Sequence, residues 1–172
     1  MAAGCAGAPP EPAGQQDFDN LIVPGQRIGP VAPGGYVDEV VKKLGEPDRV
    51  RSNTKRDPSK ADDADTFIHV YNRYCINFPW VDKGLRPTIA YGFWGVNATC
   101  NRWKTDKGIA VGNSIQDVIK AHGEPNKVEG CGAGGDPECV LMYNSGVWFR
   151  TRDRNSPVRE INIVPARDYS KM

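Results

Sequence analysis

The chain states one pattern twice, 78 residues apart: residues 34–50 read GGYVDEVVKKLGEPDRV and residues 112–128 read GNSIQDVIKAHGEPNKV. Identity holds at Gly34/Gly112, Val40/Val118, Lys42/Lys120, Gly45/Gly123, Glu46/Glu124, Pro47/Pro125 and Val50/Val128. A second echo follows, in which Phe67-Ile-His-Val-Tyr-Asn72 answers Cys139-Val-Leu-Met-Tyr-Asn144. Self-similarity at a fixed offset means one supersecondary unit used twice, and this constrains the architecture more than any local propensity. It names no reaction.

Each copy carries helix punctuation. Ser114 precedes Ile115 and has Asp117 three residues on, a capping box with Asp in the usual place of Glu. Ile115, Val118 and Ile119 recur at helical spacing and His122 extends their face. Gly123 is expected as a left-handed C-terminal cap, and Pro125 prevents continuation. The first copy has Val37, Val40, Val41 and Leu44 on its face, then Gly45 and Pro47, with Tyr36 where the second has its capping Ser. Helices of about nine residues do not persist alone, so their apolar stripe must lie on a sheet.

The sheet follows at once. Tyr74, Ile76, Phe78 and Trp80 alternate with Cys75, Asn77 and Pro79, and Ile89, Tyr91 and Phe93 alternate again. In the second unit Val140–Tyr143 is a short apolar run, Asn144-Ser-Gly146 is a turn signal, and Val158–Val164 is the last strand. Val50 and Val128 begin short leading strands. Strands joined by short turns pair antiparallel. The predicted class is therefore α+β: two tandem repeats, each a short helix or helix pair on a sheet of roughly three to four antiparallel strands, the sheets forming one curved surface. Residues 1–20 read as a flexible tether, 21–98 as the first repeat and 99–172 as the second. The loops that differ between copies, residues 52–65 and the Gly-rich loop bounded by Cys131 and Cys139, are where individual function tends to sit.

At 172 residues and 39% hydrophobic content, two units of this size are each marginal alone, so continuous cores are expected. A net charge of +1 removes any general electrostatic case for nucleic acid or an anionic membrane surface. No stretch approaches the roughly 18 apolar residues of a membrane span. Of the five cysteines, Cys75, Cys100, Cys131 and Cys139 lie in the folded part and suit disulfides in an oxidising compartment. Cys131–Cys139, across the Gly-rich loop, and Cys75–Cys100, between neighbouring strand regions, are the favoured pairs; the alternative is reduced thiols. Met1-Ala-Ala-Gly-Cys5 resembles the end of a bacterial lipoprotein signal, with Ala2 where Leu is usual, and implies lipidation at Cys5. The alternative is an ordinary N-terminus with a stray thiol.

Chemistry is harder to find. Gly130-Cys-Gly132-Ala-Gly-Gly135 matches a phosphate loop in letters, but no helix pattern follows it. Asp57, Asp62, Asp63 and Asp65 lack the spacing of a calcium loop and are interleaved with Lys55, Arg56 and Lys60. His122 aligns with Leu44 on the buried helix face, and His69 lies among Phe67, Ile68 and Val70. Neither sits in a nucleophile or metal pattern, so no catalytic residue, metal ligand or cofactor is assigned.

The aromatics are the binding candidates: Trp80, Trp94, Trp103 and Trp148, with Tyr74 and Tyr91. For Tyr74, Ile76, Phe78 and Trp80 together, filling the core is the favoured alternative. If Val147, Phe149 and Thr151 face the helix, Trp148, Arg150 and Arg152 share the outer face, and Trp and Arg are enriched in interface hot spots. Trp148→Ala is then expected to weaken partner binding by ~1–4 kcal/mol and to leave the melting temperature nearly unchanged.

The pattern from Gly112 to Pro125, followed by a Tyr-ended strand and two more, resembles the helix-then-sheet unit of small outer-membrane assembly lipoproteins, the SmpA/OmlA domain. Two such units in tandem resemble the beta-lactamase inhibitor protein family. The resemblance covers about residues 22–164. It implies an exported, non-enzymatic, BLIP-like protein, periplasmic or held at the outer membrane or cell surface, that grips a protein partner through its sheet. Trp148, Arg150, Arg152, Trp80 and Trp94 are the expected contact residues, with no nucleic acid and no membrane contact except a lipid at Cys5. A structural envelope scaffold and an enzyme with an unrecognised site are the alternatives.

Overall fold

A computed structural model of the chain describes residues 18–52, 66–82, 92–93, 95–132 and 137–171. Over these residues the fold is α+β, with two α-helices and mostly antiparallel strands. In order these are β1 (Leu21–Val23), β2 (Arg27–Ile28), α1 (Val37–Leu44), β3 (Arg49–Ser52), β4 (Thr66–Tyr71), β5 (Ile76–Asp82) and β6 (Gly92–Phe93). There follow β7 (Val96–Ala98), β8 (Lys104–Thr105), α2 (Ile115–His122), β9 (Lys127–Gly130), β10 (Cys139–Tyr143), β11 (Val147–Thr151) and β12 (Val158–Ile163).

Most strands belong to one sheet, ordered β3-β4-β5-β7-β12-β11-β10-β9, with β6 attached to β5. The order runs inward in the same way from both edges, and the registers correspond. Arg49 lies opposite Val70 as Lys127 lies opposite Met142. Ile76 lies opposite Ala98 as Val147 lies opposite Ile163. The inner strands β7 and β12 meet in the middle with Asn97 facing Asn162. A second sheet, β2-β1-β8, sets β1 parallel to β8.

Alternation decides which residues enter the core. Along β11, Val147, Phe149 and Thr151 are buried and Trp148 and Arg150 are half-buried. The main core joins Phe78, Ile76, Phe149 and Ile161 of the large sheet to Val40 and Leu44 of α1 and Val118 of α2. Ile22, Ile28 and Trp103 enter the same cluster from the small sheet and its flank. Both helices and both sheets thereby share one continuous core.

The helix ends follow the sequence closely at one terminus and less so at the other. The Asp117 N–H donates to Ser114 Oγ at 3.1 Å, and the Ser114 N–H donates to Asp117 Oδ2 at 3.0 Å, completing the capping box. Tyr36 makes no side-chain cap. At the C-termini, Gly45 (φ 77°, ψ −171°) and Gly123 (φ 81°, ψ −174°) end the helices, but not as left-handed caps. Their extended ψ with positive φ is a region populated almost only by glycine. Each still donates its N–H into the last turn, Gly123 to Ile119 O at 2.8 Å. The Tyr143 hydroxyl then donates to Gly123 O at 2.9 Å, fixing the turn against β10. In the first half Arg73 does this work, donating to Leu44 O and Glu46 O. A Cβ at Gly123 would meet nothing within 4 Å, so substitution there strains backbone alone. Gly123→Ala should lower the unfolding free energy by about 1–3 kcal/mol in urea titrations.

Disulfides join Cys75 to Cys100 and Cys131 to Cys139, with Cα separations of 5.6 and 4.4 Å. These are the two favoured pairs. Among the described residues no helix is long and apolar enough to cross a membrane. Cys5, with residues 1–17 of the expected tether and residues 53–65 of the expected charged loop, lies outside the described residues.

Candidate functional site

The helices occupy one face of the large sheet, since the His122 ring of α2 lies 5.1 Å from the inward Phe149. The opposite face carries a row of cross-strand neighbours. Val70 faces Asn77, Asn77 faces Asn97, Asn97 faces Asn162, Asn162 faces Trp148, and Trp148 faces Met142. Asn97 and Asn162, at the seam of the two halves, are only 3% and 2% exposed. Asn97 Oδ1, Asn162 Nδ2 and Trp148 Nε1 are buried and make no hydrogen bond among the described residues. Buried polar groups are nearly always paired, so three orphans on adjacent strands single this row out.

Trp148 sits on the outer face with Arg150, as alternation predicted. Its surroundings are less open than the sequence suggested. The segment after β12 folds back so that Tyr169 meets Trp148 edge-on, with ring centroids 5.2 Å apart. Val140, Met142, Val164 and Tyr169 form a second apolar cluster against which Trp148 packs. Tyr169 is itself held, its N–H donating to Asn144 Oδ1 at 2.8 Å and its hydroxyl to Pro165 O at 2.7 Å. The expectation of an unchanged melting temperature therefore needs correcting: Trp148→Ala opens a space beneath Tyr169 and should remove about 2–3 kcal/mol of stability, read by thermal or urea unfolding.

Arg150 lies between two carboxylates. Its Nε is 3.2 Å from Glu138 Oε1, an ion pair whose approach is too bent for a hydrogen bond, and its Nη1 donates to Glu160 Oε1 at 3.3 Å. Arg159 also pairs with Glu138. Arg152 lies beyond the end of β11 and is exposed, after a register shift between Arg150 and Thr151. The structure thus brings Trp148 and Arg150 together on one face and sets Arg152 in the turn that follows. Trp80 lies in β5, with its side chain outside the description, and Trp94 is outside the described residues. Trp103 is a core residue, fully buried.

Both histidines are packed. His122 lies between Tyr143 and Phe149, and its Nε2 is 3.3 Å from Thr105 Oγ1. Burial, helped by Lys107, lowers its pKa. Burial also lowers that of His69, against the opposing charge of Glu46. An imidazole that resists charging in the fold but not in the unfolded chain makes stability fall with acid, because the unfolded state then binds more protons. His122 contributes this loss as pH falls through about 6.5, the ordinary histidine value. His122→Leu, which installs the residue type of the equivalent position Leu44, should make urea stability decline less between neutral pH and pH 5.

Sequence inspection missed Tyr71, fully buried beside Phe78, with no hydrogen bond to its hydroxyl among the described residues. Burial, then the charge of Glu46, pushes this hydroxyl up to about 12. Its only sequence signal was its alignment with Tyr143. A cavity of about 40 Å³ lies beside α1, lined by Pro30, Val31, Tyr36, Glu39, Val40 and Lys43. Ligand pockets run to roughly 300–1,000 Å³, so this one admits little more than water. Among the described residues no group of three His, Cys, Asp or Glu side chains could hold a metal ion. Asp57, Asp62, Asp63 and Asp65 lie outside them.

No protein-family model matches the chain, and no curated protein matches it. Among solved structures the chain is similar to an extracellular protein containing an SCP domain from Bacillus anthracis str. Ames, at 12% identity and a TM-score of 0.47. The match covers 94% of this chain and 50% of that one, so this chain spans about half the length of that protein.

Proposed function

We propose that this is an exported, lipid-anchored, non-enzymatic protein that binds a protein partner through the outer face of its large sheet. The observation that carries this is the pair Trp148 and Arg150 on the outer face, both half-buried and so still reachable from solvent. Trp and Arg are also the side chains most often found at hot spots. Two disulfides support an oxidising compartment. The matching strand order and registers support two copies of one unit in tandem, their sheets joined into one curved surface. The anchor is Cys5, and periplasm or outer membrane is the compartment that fits.

Affinity capture from the native envelope tests partner and compartment together. Wild-type protein should retain a specific protein that Arg150→Ala releases, while Lys120→Glu on the exposed side of α2 keeps it. Retention that is equal for all three would argue against the face. Detergent partitioning tests the anchor: Cys5→Ser should move the protein from the membrane fraction to the soluble one with no change in melting.

A further inference from the structure

The two edges of the large sheet hold equivalent positions in the two halves, yet they differ in charge. β3 reads Arg49-Val50-Arg51-Ser52, and β9 reads Lys127-Val128-Glu129-Gly130. Val50 and Val128 are 50% and 49% exposed, and with Tyr36 they are the large apolar side chains most open to solvent among the described residues. Both strands end the sheet, each pairing on one side only among the described strands.

The free side of β9 can be specified. The Cys131 N–H donates to Glu138 O at 2.7 Å, and Gly130 lies opposite Cys139. Hydrogen-bonded residues alternate along an antiparallel pair. Residues 127 and 129 therefore direct their backbone groups towards β10, and Val128 directs its N–H and C=O away from the sheet. Such an edge is a template for another strand.

We propose that β9 is the contact surface of a symmetric dimer, pairing antiparallel with the β9 of a second copy about Val128. The occupant is chosen by charge. With Val128 opposite the partner's Val128, Lys127 falls opposite the partner's Glu129 and Glu129 opposite the partner's Lys127. The strand is complementary to itself. Lys127 Nζ and Glu129 Oε1 already form an ion pair 2.7 Å apart within the chain, and pairing sets two such pairs into one alternating group of four. Opposite charges directly across a ladder stabilise it, and like charges do the reverse.

The other edge fails the same test. Pairing β3 with itself about Val50 sets Arg49 against the partner's Arg51. Joining β3 of one copy to β9 of the next sets Arg51 against the partner's Lys127 and Arg49 against the partner's Glu129, so a like-charge pair offsets the opposite one. That head-to-tail contact leaves a free edge on each copy unless a ring closes, whereas the β9 pair closes on itself. Four residues a side bury far less than the roughly 1,200 Å² of a standard interface, so the dimer is a reversible one that forms at high concentration.

Sedimentation equilibrium of the full chain carrying Cys5→Ser, across the micromolar to millimolar range, reads this directly. The chain should show a concentration-dependent dimer. Lys127→Glu and Glu129→Lys, each alone, should raise the dimer Kd by about tenfold or more. An equimolar mixture of those two variants should recover association, because their altered strands carry opposite charges. The doubly exchanged Lys127→Glu/Glu129→Lys chain should dimerise as the parent does. A parent chain that stays monomeric throughout, or single reversals that leave its association unchanged, would overturn the proposal.

Discussion

Trp103→Ala should lower the unfolding free energy by about 3–5 kcal/mol, the range for deleting a large buried aromatic ring. Trp103 lies just before β8, is fully buried, and donates its Nε1–H to Tyr74 O at 2.6 Å. Its ring also lies against Gly29, where an added Cβ would come within 2.6 Å of two ring carbons. This one side chain therefore joins the small sheet to the turn between β4 and β5. Its removal leaves a cavity and an unpaired carbonyl together. Small domains have only about 5–15 kcal/mol of net stability, so much of the fold's margin would go. Urea titration followed by tryptophan-independent circular dichroism reads the loss. Gly29→Ala offers a second test of the same contact from its other side and should also destabilise, through steric conflict and a positive φ of +51°.

Removing the Cys75–Cys100 bond by paired Ala substitutions should cost about 3.5 kcal/mol, from the entropy an open chain regains over 25 residues. The Cys131–Cys139 bond closes 8 residues and should contribute less, about 2.5 kcal/mol. The order is the informative part. Cys75 sits at a left-handed turn (φ 53°, ψ 40°) and its carbonyl accepts from the Thr99 N–H at 2.9 Å, so the bond holds β5 and β7 where they pair. Guanidinium titrations of the two paired variants should place the Cys75/Cys100 variant at the lower midpoint. An inverted order would mean that chain closure is not what these bonds supply.

The repeat made much of the large sheet legible. Its helices, their glycine stops, the Ser114 cap, the leading strands at Val50 and Val128 and the alternation along β11 are local patterns, and local patterns can be read from neighbours in sequence. The small sheet could not be read this way. β2 and β8 are two residues each, too short for any period, and β1 joins β8 through pairing of Leu21 with Lys104 and Ile22 with Thr105, some 83 residues apart in sequence. Trp103 likewise has no alternating neighbours to mark it as core. At the candidate face, alternation put Trp148 and Arg150 on the outer side. It could not show that Tyr169 would return from beyond β12 to cover the indole, or that Glu138 and Glu160 would flank the guanidinium. The Asn97–Asn162 row was also invisible, because two single asparagines become neighbours only when the halves join at β7 and β12.

What the copies share is scaffold, and what distinguishes them is surface: Tyr36 against Ser114, Arg51 against Glu129, Asn77 against Trp148. The claim that the outer face binds a protein is tested most directly by a photo-crosslinking residue at Arg150, compared with one at Lys120 on the helix side, in cells carrying the full chain. A protein partner crosslinked from Arg150 and not from Lys120, and competed away by unlabelled protein, is the predicted result. Crosslinks from Lys120 alone, or the same products from both positions, would contradict it.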